Sequence, residues 1–293
     1  MSTVGIVGIG LLGHAIASRL IKAGHPVVGF DVVPDRVSAL TAMGGKSAPS
    51  AAAVAQSVEA VCTLLPSLAT AEAAILGADG ILAGARPHLT VIQMSTISPT
   101  LTERLAREVT ARGLGFLDCP VSGTSSMVER GDGIFFVGGD RALFERWRPV
   151  LESALARAVL VGRVGQAMVL KLVANLLVAL NSTAAAEALT LARKAGLDLD
   201  LALEVLNASA AASSMLKVRG PMIVRGEFPA QMKLDLFMKD IHLIQEAAVA
   251  VGAPLPFTDL AERLYAAAQA AGHGGEDLAV VVTALSAPVA ESR

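Results

Sequence analysis

The chain has 293 residues, of which 53% are hydrophobic and 17% are charged, and its formal net charge is −2. This length predicts two domains, and the composition gives ample material for a core and argues against disorder. A near-neutral chain with one Trp and one Tyr offers no basic surface for nucleic acid or anionic lipid.

Short β-branched runs alternate with helical stretches through the first half of the chain. This alternation is typical of βαβ units and predicts a parallel sheet covered by helices. The predicted strands are residues 4–7, 27–30, 60–65, 90–94, 115–117 and 134–137.

The pattern changes after a last strand-like run at residues 159–161. A helical pattern opens near Gln166 and continues to Ala195, before Gly196 ends it. Such a helix is longer than one small domain needs, so it is predicted to join two domains. Helix-like segments follow at residues 200–208, 213–224, 234–251 and 257–271. The sequence therefore predicts an α/β domain over residues 1–163 and an all-helical domain over residues 164–293.

Targeting and metal signals are absent from the sequence pattern. No basic and apolar leader precedes the first strand, so the cytoplasm is the expected compartment. The apolar stretch at residues 168–186 is interrupted by polar side chains, which argues against a membrane span. Cys62 and Cys119 are far apart and lack a CxxC partner, which favours reduced thiols. The five histidines are scattered, so no metal site is predicted.

A glycine-rich turn follows the first predicted strand. The segment Gly8-Ile9-Gly10-Leu11-Leu12-Gly13 is a GxGxxG fingerprint that also opens a helix. In a Rossmann domain Gly8 permits the tight turn, Gly10 lets the backbone approach a pyrophosphate, and Gly13 lets helix and strand pack closely. The alternative is an ordinary glycine turn in an α/β protein. The context favours dinucleotide binding by Gly8, Gly10, Leu11, Leu12 and Gly13.

An acidic residue strengthens this interpretation. Asp31 ends the second predicted strand, at about the 20-residue spacing that the ribose contact requires. Its carboxylate can accept a hydrogen bond from the 2′-OH of NAD and would repel the 2′-phosphate of NADP. NAD is therefore the predicted cofactor and NADP is disfavoured. Arg36 could soften that preference, although a surface charge is the simpler interpretation.

Several further motifs together make the sequence resemble the β-hydroxyacid dehydrogenase family, which includes 3-hydroxyisobutyrate dehydrogenase and tartronate semialdehyde reductase and is related to 6-phosphogluconate dehydrogenase. The resemblance covers almost the whole chain and implies a nicotinamide-dependent dehydrogenase of small hydroxy acids. Besides the fingerprint, the motifs are Leu65-Pro66, Met94-Ser95-Thr96, the segment 118–123, the segment 165–175 and Lys239-Asp240.

The resemblance gives a role to a lysine in the long helix. Lys171 and Asn175 are four residues apart, so both project from one helix face. Lysine is a poor acid or base at neutral pH unless desolvation or a nearby charge lowers its pKa. Without the family context, a solvated lysine and a surface asparagine would be preferred. The resemblance implies that Lys171 exchanges a proton with the substrate oxygen and that Asn175 orients the substrate.

The resemblance also implies the remaining site residues. Ser122, Gly123 and Thr124 follow a strand and are expected to hold a substrate carboxylate through neutral donors, although a plain turn would look similar. Ser95-Thr96 is expected to be a helix N-cap, a cofactor-contacting loop, or both. The cofactor contacts outside the fingerprint are expected at Asp31, Leu65, Pro66, Thr96 and Lys239.

Two positions depart from the family pattern and bear on the substrate. Thr124 replaces a glycine, and Ala174 replaces an asparagine just before Asn175. The first adds bulk beside the expected carboxylate site, and the second removes an amide worth about 1 kcal/mol per hydrogen bond. We therefore expect a substrate with a less polar tail than tartronate semialdehyde, such as a 3-hydroxyisobutyrate-like or 3-substituted 3-hydroxy acid.

Two other functions share this scaffold. One is an NADPH-dependent reductase of imines or semialdehydes, and the other is a nonenzymatic cofactor-binding interaction module. The lysine at position 171 argues against an imine reductase and against the nonenzymatic module, because such proteins usually lack it. The alanine-rich helices also predict a homodimer or homotetramer packed through the C-terminal half.

Overall fold

The computed structural model describes residues 1–285, and the chain divides into two compact units, Met1–Lys171 and Leu172–Arg293. The division falls inside a single long helix. The predicted domain boundary between residues 163 and 164 stays a prediction, and each unit is described by itself.

One sheet forms the centre of the first unit. Its strands are short and rich in Val, Ile and Phe, side chains that fill a sheet buried on both faces. They are β1 (Val4–Val7), β2 (Val27–Phe30), β3 (Lys46–Ser47), β4 (Ala60–Thr63), β5 (Thr90–Gln93), β6 (Gly115–Asp118), β7 (Val121–Ser122), β8 (Ile134–Gly139) and β9 (Ala158–Gly162).

The strand order is β3-β2-β1-β4-β5-β6-β8-β7, and β9 pairs with β8. The first six strands in this order are parallel to one another. Strand β1 lies between β2 and β4, so the strand order reverses direction at β1. That change of direction is the switch point at which open α/β sheets bind ligands.

The predicted parallel sheet includes an antiparallel strand near one edge. Strand β8 is antiparallel to β6 and β7, while β9 is parallel to β8. The link between β7 and β8 contains only a five-residue helix, Ser125–Glu129. A parallel crossover needs a dozen or more residues, so a chain with this short link returns beside the strand it left. Strands β3 and β7 are two residues long and were not predicted from the sequence.

Eight helices belong wholly to the first unit and cover the sheet. Their apolar sides form two clusters, one containing Ile16, Phe135 and Trp147 and the other containing Val54, Ile75 and Leu105. The helices are α1 (Leu11–Lys22), α2 (Pro34–Ala42), α3 (Ala51–Ser57), α4 (Leu68–Leu76), α5 (Ile81–Gly84), α6 (Pro99–Thr110), α7 (Ser125–Glu129) and α8 (Arg141–Ala154).

Helix α9 (Gln166–Lys194) confirms the predicted long helix and crosses from the first unit into the second. By length and composition it could cross a membrane, and 44% of its most apolar stretch is buried within the protein. The same test is passed by core helices of proteins that contain no membrane span, so it is weak evidence for one.

The described part of the second unit is helical, as predicted. Its core includes Phe237 and Tyr265, whose rings meet edge to face with centroids 6.1 Å apart. The predicted last helix ends early, at Ala268, and a π-helical turn with Gly272 at φ 94° follows. Besides α9, the helices are α10 (Leu199–Ala208), α11 (Ser214–Arg225), α12 (Leu234–Val251), α13 (Pro256–Ala268), the π-turn Gln269–His273 and a 3₁₀ segment, Leu278–Leu285.

Candidate active site

The parallel register aligns the last residues of five strands in one row. Val7 pairs with Phe30 and Thr63, Thr63 pairs with Gln93, and Gln93 pairs with Asp118. The turns that follow these residues therefore lie along the carboxyl edge of the sheet. This edge collects the fingerprint, Asp31, Leu65-Pro66 and Thr96, which are far apart in sequence.

Each of the three fingerprint glycines has a different structural environment. Gly8 has φ 94°, and a Cβ there would collide with the carbonyl oxygen of Leu64. A Cβ on Gly13 would collide with the carbonyl oxygen of Gly8, so this glycine lets α1 pack on β1. At Gly10, no heavy atom lies within 4 Å of where a Cβ would be.

Gly10 is also the N-cap of α1, and no side chain caps the helix there. The first amides of α1 are thus free of a side-chain acceptor, and the next residue, Leu11, is 72% exposed. A helix N-terminus of this kind favours an anion through its amides and its dipole. The open space at Gly10 and the uncapped helix fit a dinucleotide pyrophosphate.

Asp31 is fixed beside the fingerprint by backbone amides. Its Oδ2 accepts from the N–H of Ile9 at 2.7 Å, and its Oδ1 accepts from the N–H of Val33 at 2.9 Å. The guanidinium of Arg36 lies 3.3 Å from Oδ2 and 3.4 Å from Oδ1. The Asp31 side chain is 4% exposed, whereas that of Arg36 is 50% exposed. Arg36 is thus paired with Asp31 and is not an isolated surface charge.

Two neighbouring loops carry the other cofactor residues predicted in this unit. Leu65 and Pro66 follow β4, and Thr96 follows β5. The suggestion that Ser95-Thr96 caps the next helix is wrong. Ser98 caps α6 by accepting from the N–H of Leu101 at 3.2 Å, with Pro99 as the first helical residue. The Ser95 hydroxyl instead accepts from the N–H of Leu65 at 2.9 Å and so connects the two loops.

The expected carboxylate-binding residues follow β6 after a break at Pro120. Ser122 lies in β7, and Gly123 has φ 152°, a conformation that favours glycine. Thr124 is the N-cap of α7, where its hydroxyl accepts from the N–H of Met127 at 3.3 Å. The same hydroxyl lies 3.0 Å from the hydroxyl of Ser126. The Thr124 hydroxyl is therefore already engaged in local hydrogen bonds.

Lys171 and Asn175 are both buried, at 9% and 4% exposure. They lie one turn apart on α9, so they share a face of that helix. Burial of a lysine is uncommon without a charge or hydrogen-bond partner, which argues against a simple solvated surface role.

In the second unit, Asp240 joins two of the predicted residues. Its Oδ2 accepts from the amide nitrogen of Asn175 at 2.8 Å, and its Oδ1 lies 2.8 Å from the Lys239 ammonium. Asp240 is 5% exposed. The carboxylate therefore fixes the orientation of the Asn175 amide group. Lys239 has an acidic neighbour and is only 26% exposed at its side chain, so it is not part of a fully solvated face.

A second buried carboxylate, Asp118, holds the start of α9. Its Oδ2 accepts from the N–H groups of Gly165 and Met168 at 2.9 and 3.0 Å. The other oxygen, Oδ1, is buried without a hydrogen bond. Burial raises the pKa of Asp118 to about 7, although the backbone donors oppose this shift. Asp118 thus anchors the helix that carries Lys171.

Neither carboxylate was assigned a role from the sequence. Each stands inside a motif that carries the family resemblance, and Asp118 directly follows an apolar strand, which could have marked it as buried. Their partners lie 47 and 65 residues away in the chain, so no local pattern could have named them.

Other reactive groups in the described residues give no second centre. Cys62 and Cys119 are buried free thiols, and burial raises the pKa of Cys62 to about 12. Residues 1–285 contain no group of three His, Cys, Asp or Glu side chains placed to hold a metal ion.

Comparison with known proteins agrees with this geometry. Residues 3–165 match the family described as the NAD binding domain of 6-phosphogluconate dehydrogenase. Residues 165–285 match the family described as NAD-binding of NADP-dependent 3-hydroxyisobutyrate dehydrogenase. The two families together span nearly the whole chain.

Individual relatives align over similar lengths. The chain is 31% identical to 2-(hydroxymethyl)glutarate dehydrogenase of Eubacterium barkeri, over 95% of this chain and 93% of the relative. It is 32% identical to 2-hydroxy-3-oxopropionate reductase of Escherichia coli, over 96% of each chain. A crystal structure of 3-hydroxyisobutyrate dehydrogenase from Salmonella typhimurium superposes with a TM-score of 0.88 at 32% identity, covering 96% of this chain and 99% of that one.

The Rossmann sheet and the uncapped fingerprint helix fit a dinucleotide, and the matches to named dehydrogenases and reductases identify the chain as a nicotinamide-dependent oxidoreductase. The chain belongs to the β-hydroxyacid dehydrogenase family. The two family matches support a nicotinamide cofactor, NAD or NADP.

Proposed function

We propose that the protein oxidises a small 3-hydroxy carboxylic acid with NAD, or reduces the corresponding oxo acid with NADH, with Lys171 as the acid/base. The observation that carries this proposal is the burial of Lys171 and Asn175 on one face of α9, at 9% and 4% exposure. Both polar side chains share one face of α9 and are shielded from bulk water, which is the kind of environment that a site of proton transfer needs.

When bound, the nicotinamide ring supplies the hydride acceptor for the alcohol carbon. Lys171, in its neutral form, removes the hydroxyl proton as the carbonyl forms, and in reduction its ammonium returns that proton to the carbonyl oxygen. Asn175, whose amide nitrogen is held by Asp240, presents its oxygen to a substrate donor.

Binding of the acid group is proposed for the turn after β7. Ser122 offers a hydroxyl, and Gly123 offers a backbone amide in a conformation that glycine favours. Neutral donors of this kind hold a carboxylate without an ion pair. Thr124 adds a side chain beside them, and its hydroxyl is used as a helix cap.

The substrate tail is proposed to be less polar than that of tartronate semialdehyde. Ala174 brings no amide to α9, and Thr124 adds bulk with a hydroxyl that is already engaged in local hydrogen bonds. The relatives act, by name, on 2-(hydroxymethyl)glutarate, 2-hydroxy-3-oxopropionate and 3-hydroxyisobutyrate, which span this range of tails. In a panel of such acids, we expect the highest kcat/KM for a 3-hydroxyisobutyrate-like compound. A highest kcat/KM for tartronate semialdehyde would contradict this substrate assignment.

NAD is proposed as the preferred cofactor because Asp31 stands beside the fingerprint with its carboxylate held in place. The cofactor contacts are proposed at the fingerprint, at Leu65, Pro66 and Thr96, and at Lys239.

The cytoplasm is proposed as the compartment, and a homodimer or homotetramer as the assembly. The second is supported by large apolar side chains that are about half exposed or more on the helices of the second unit. These include Val173, Leu177, Leu191, Leu201, Val205, Phe257 and Leu260.

The decisive test replaces the lysine. Lys171→Ala should lower kcat by about 10³-fold, within the range for loss of a general acid/base, while the Kd for NAD changes by less than about threefold. Lys194→Ala, at the exposed end of the same helix, is the matched control and should keep full activity. Near-normal turnover of the Lys171→Ala protein would remove Lys171 from the mechanism.

A further inference from the structure

The side chain of Gln93 forms a closed polar clasp at the end of β5. Gln93 is fully buried, and its carboxamide bonds to the backbone of Ser95, two residues after it in the chain. Its nitrogen donates to the carbonyl oxygen of Ser95 at 2.9 Å, and its oxygen accepts from the N–H of Ser95. The Thr63 hydroxyl donates to the same oxygen at 3.4 Å. One side chain therefore satisfies both backbone groups of Ser95.

Ser95 passes this constraint to the neighbouring loop. Its hydroxyl accepts from the N–H of Leu65 at 2.9 Å and donates to the carbonyl oxygen of Thr63 at 3.2 Å. Gln93 and Ser95 thus join the turn after β4 to the turn after β5. The segments held in this way are those that contain Leu65-Pro66 and Thr96.

We propose that Gln93 is a positioning residue for the dinucleotide, acting through Ser95 on the two loops that border it. This inference rests on the proposed function, because it takes Leu65, Pro66 and Thr96 as cofactor contacts. Gln93 itself is fully buried and does not reach a ligand. Gln93 fixes the backbone of the two loops before the cofactor binds. Without it, these loops would have to become ordered on binding, and the free-energy cost of that ordering would lower the affinity for the cofactor.

The chemistry of the clasp is specific to a carboxamide of this length. The carbonyl oxygen of Ser95 needs a donor and its N–H needs an acceptor, and a carboxamide supplies both at once. Methionine has similar length but supplies neither. A glutamate always supplies the acceptor but supplies the donor only when its carboxyl is protonated, so the effect of Gln93→Glu should depend on pH.

A matched control exists at the other end of the same strand. Thr90 is fully buried and its hydroxyl accepts from the indole N–H of Trp147 at 3.0 Å. Thr90→Val therefore removes a buried hydrogen bond from β5 at the edge of the sheet opposite the fingerprint. It reports what a loss of stability alone does to cofactor binding.

The experiment measures the Kd for NAD by calorimetry, together with the melting temperature, for wild type, Gln93→Met and Thr90→Val. We expect Gln93→Met to raise the Kd about tenfold, as loss of a clasp of about two hydrogen bonds allows, and Thr90→Val to leave it within about twofold. If Gln93→Met and Thr90→Val lowered the melting temperature by similar amounts and had equal Kd values for NAD, the proposal would be overturned. If wild type itself bound no NAD, the proposed function would fail instead, so the two failures are distinguishable.

Gln93→Glu gives a second arm that does not depend on the stability of the methionine variant. As the pH falls and the introduced carboxyl is protonated, the Kd of this protein for NAD should approach that of wild type at the same pH. A ratio of the two Kd values that does not change with pH would contradict the positioning role. Amide hydrogen exchange adds a readout without cofactor: peptides covering residues 64–66 and 95–96 should exchange faster in Gln93→Met and unchanged in Thr90→Val.

Discussion

The carboxyl edge of the sheet and the polar contact between α9 and α12 are built on opposite principles. At the sheet edge, the turn depends on backbone shape, set by glycines that are required because a Cβ at Gly8 or Gly13 would meet a carbonyl oxygen. Between α9 and α12, the contact depends on a buried carboxylate, Asp240, that meets Asn175 across 65 residues of chain. The glycines that set the turn are close together in the sequence, whereas the contact between Asn175 and Asp240 forms only when the chain folds.

The largest expected effect separates the roles of two glycines at the sheet edge. Gly13→Ala forces α1 away from β1, so it should lower the free energy of unfolding by about 3 kcal/mol and weaken NAD binding by at least about tenfold. Gly10→Ala places its methyl in open space and should lower the free energy of unfolding by at most about 1 kcal/mol, the cost of alanine at a helix N-cap, while still weakening NAD binding. Urea denaturation and calorimetry measure both quantities. Equal stability of the two variants would mean that α1 does not need the close approach at Gly13.

The next effect concerns Asp118, at the same edge of the sheet. Its folded-state pKa of about 7 is above its ordinary value of 3.8, so its stabilising contribution is complete below about pH 4 and is lost as the pH rises through 7. Asp118→Asn keeps an acceptor for the Gly165 and Met168 amides but does not titrate.

Between pH 5 and pH 8, the free energy of unfolding of wild type should therefore fall by about 2.5 kcal/mol relative to Asp118→Asn. Urea denaturation of both proteins at the two pH values measures the difference. A difference that stays constant would show that the amides at the start of α9 keep this carboxylate ionised throughout.

A smaller effect is expected at the α9–α12 contact. Asp240→Ala leaves the buried Asn175 amide without its acceptor and should cost about 2 kcal/mol of unfolding free energy, together with most of kcat/KM. Asp240→Asn keeps an acceptor and should lose less stability. Asp259→Ala, on the exposed side of α13, serves as the control. If Asp240→Ala unfolded in urea like wild type, the carboxylate would not be holding Asn175.

These contrasts explain how far the sequence could predict the molecule. The order of the helices and strands and the long helix α9 followed from hydrophobic period and punctuation, since both are local properties. The reversal of β8 did not, because only the shortness of the link after β7 decides it. The glycine fingerprint could also be predicted, because its residues are consecutive in the sequence.

The side-chain contacts were less predictable. Arg36 was interpreted mainly as a surface charge, and only folding shows that it pairs with Asp31. Ser98, not Ser95 or Thr96, caps α6, because Pro99 fixes where that helix starts. Gln93 has no sequence signal at all, since its partners are mostly backbone atoms in two loops.

The smallest effect is expected at Arg36, and it distinguishes charge from shape at the sheet edge. Its guanidinium is half exposed and solvent-screened, so Arg36→Ala should change the free energy of unfolding by less than about 0.5 kcal/mol. NADP carries a phosphate where NAD carries a hydroxyl, and Asp31 repels that phosphate while Arg36 attracts it. Arg36→Ala should therefore raise the Kd for NADP about fivefold and leave the Kd for NAD within about twofold. Because Asp31 is also held by the amides of Ile9 and Val33, loss of the guanidinium leaves its position unchanged. If Arg36→Ala weakened the binding of NAD and of NADP equally, Arg36 would act by ordering Asp31. It would then contribute to the shape of the sheet edge and not to the electrostatic selection between the two cofactors.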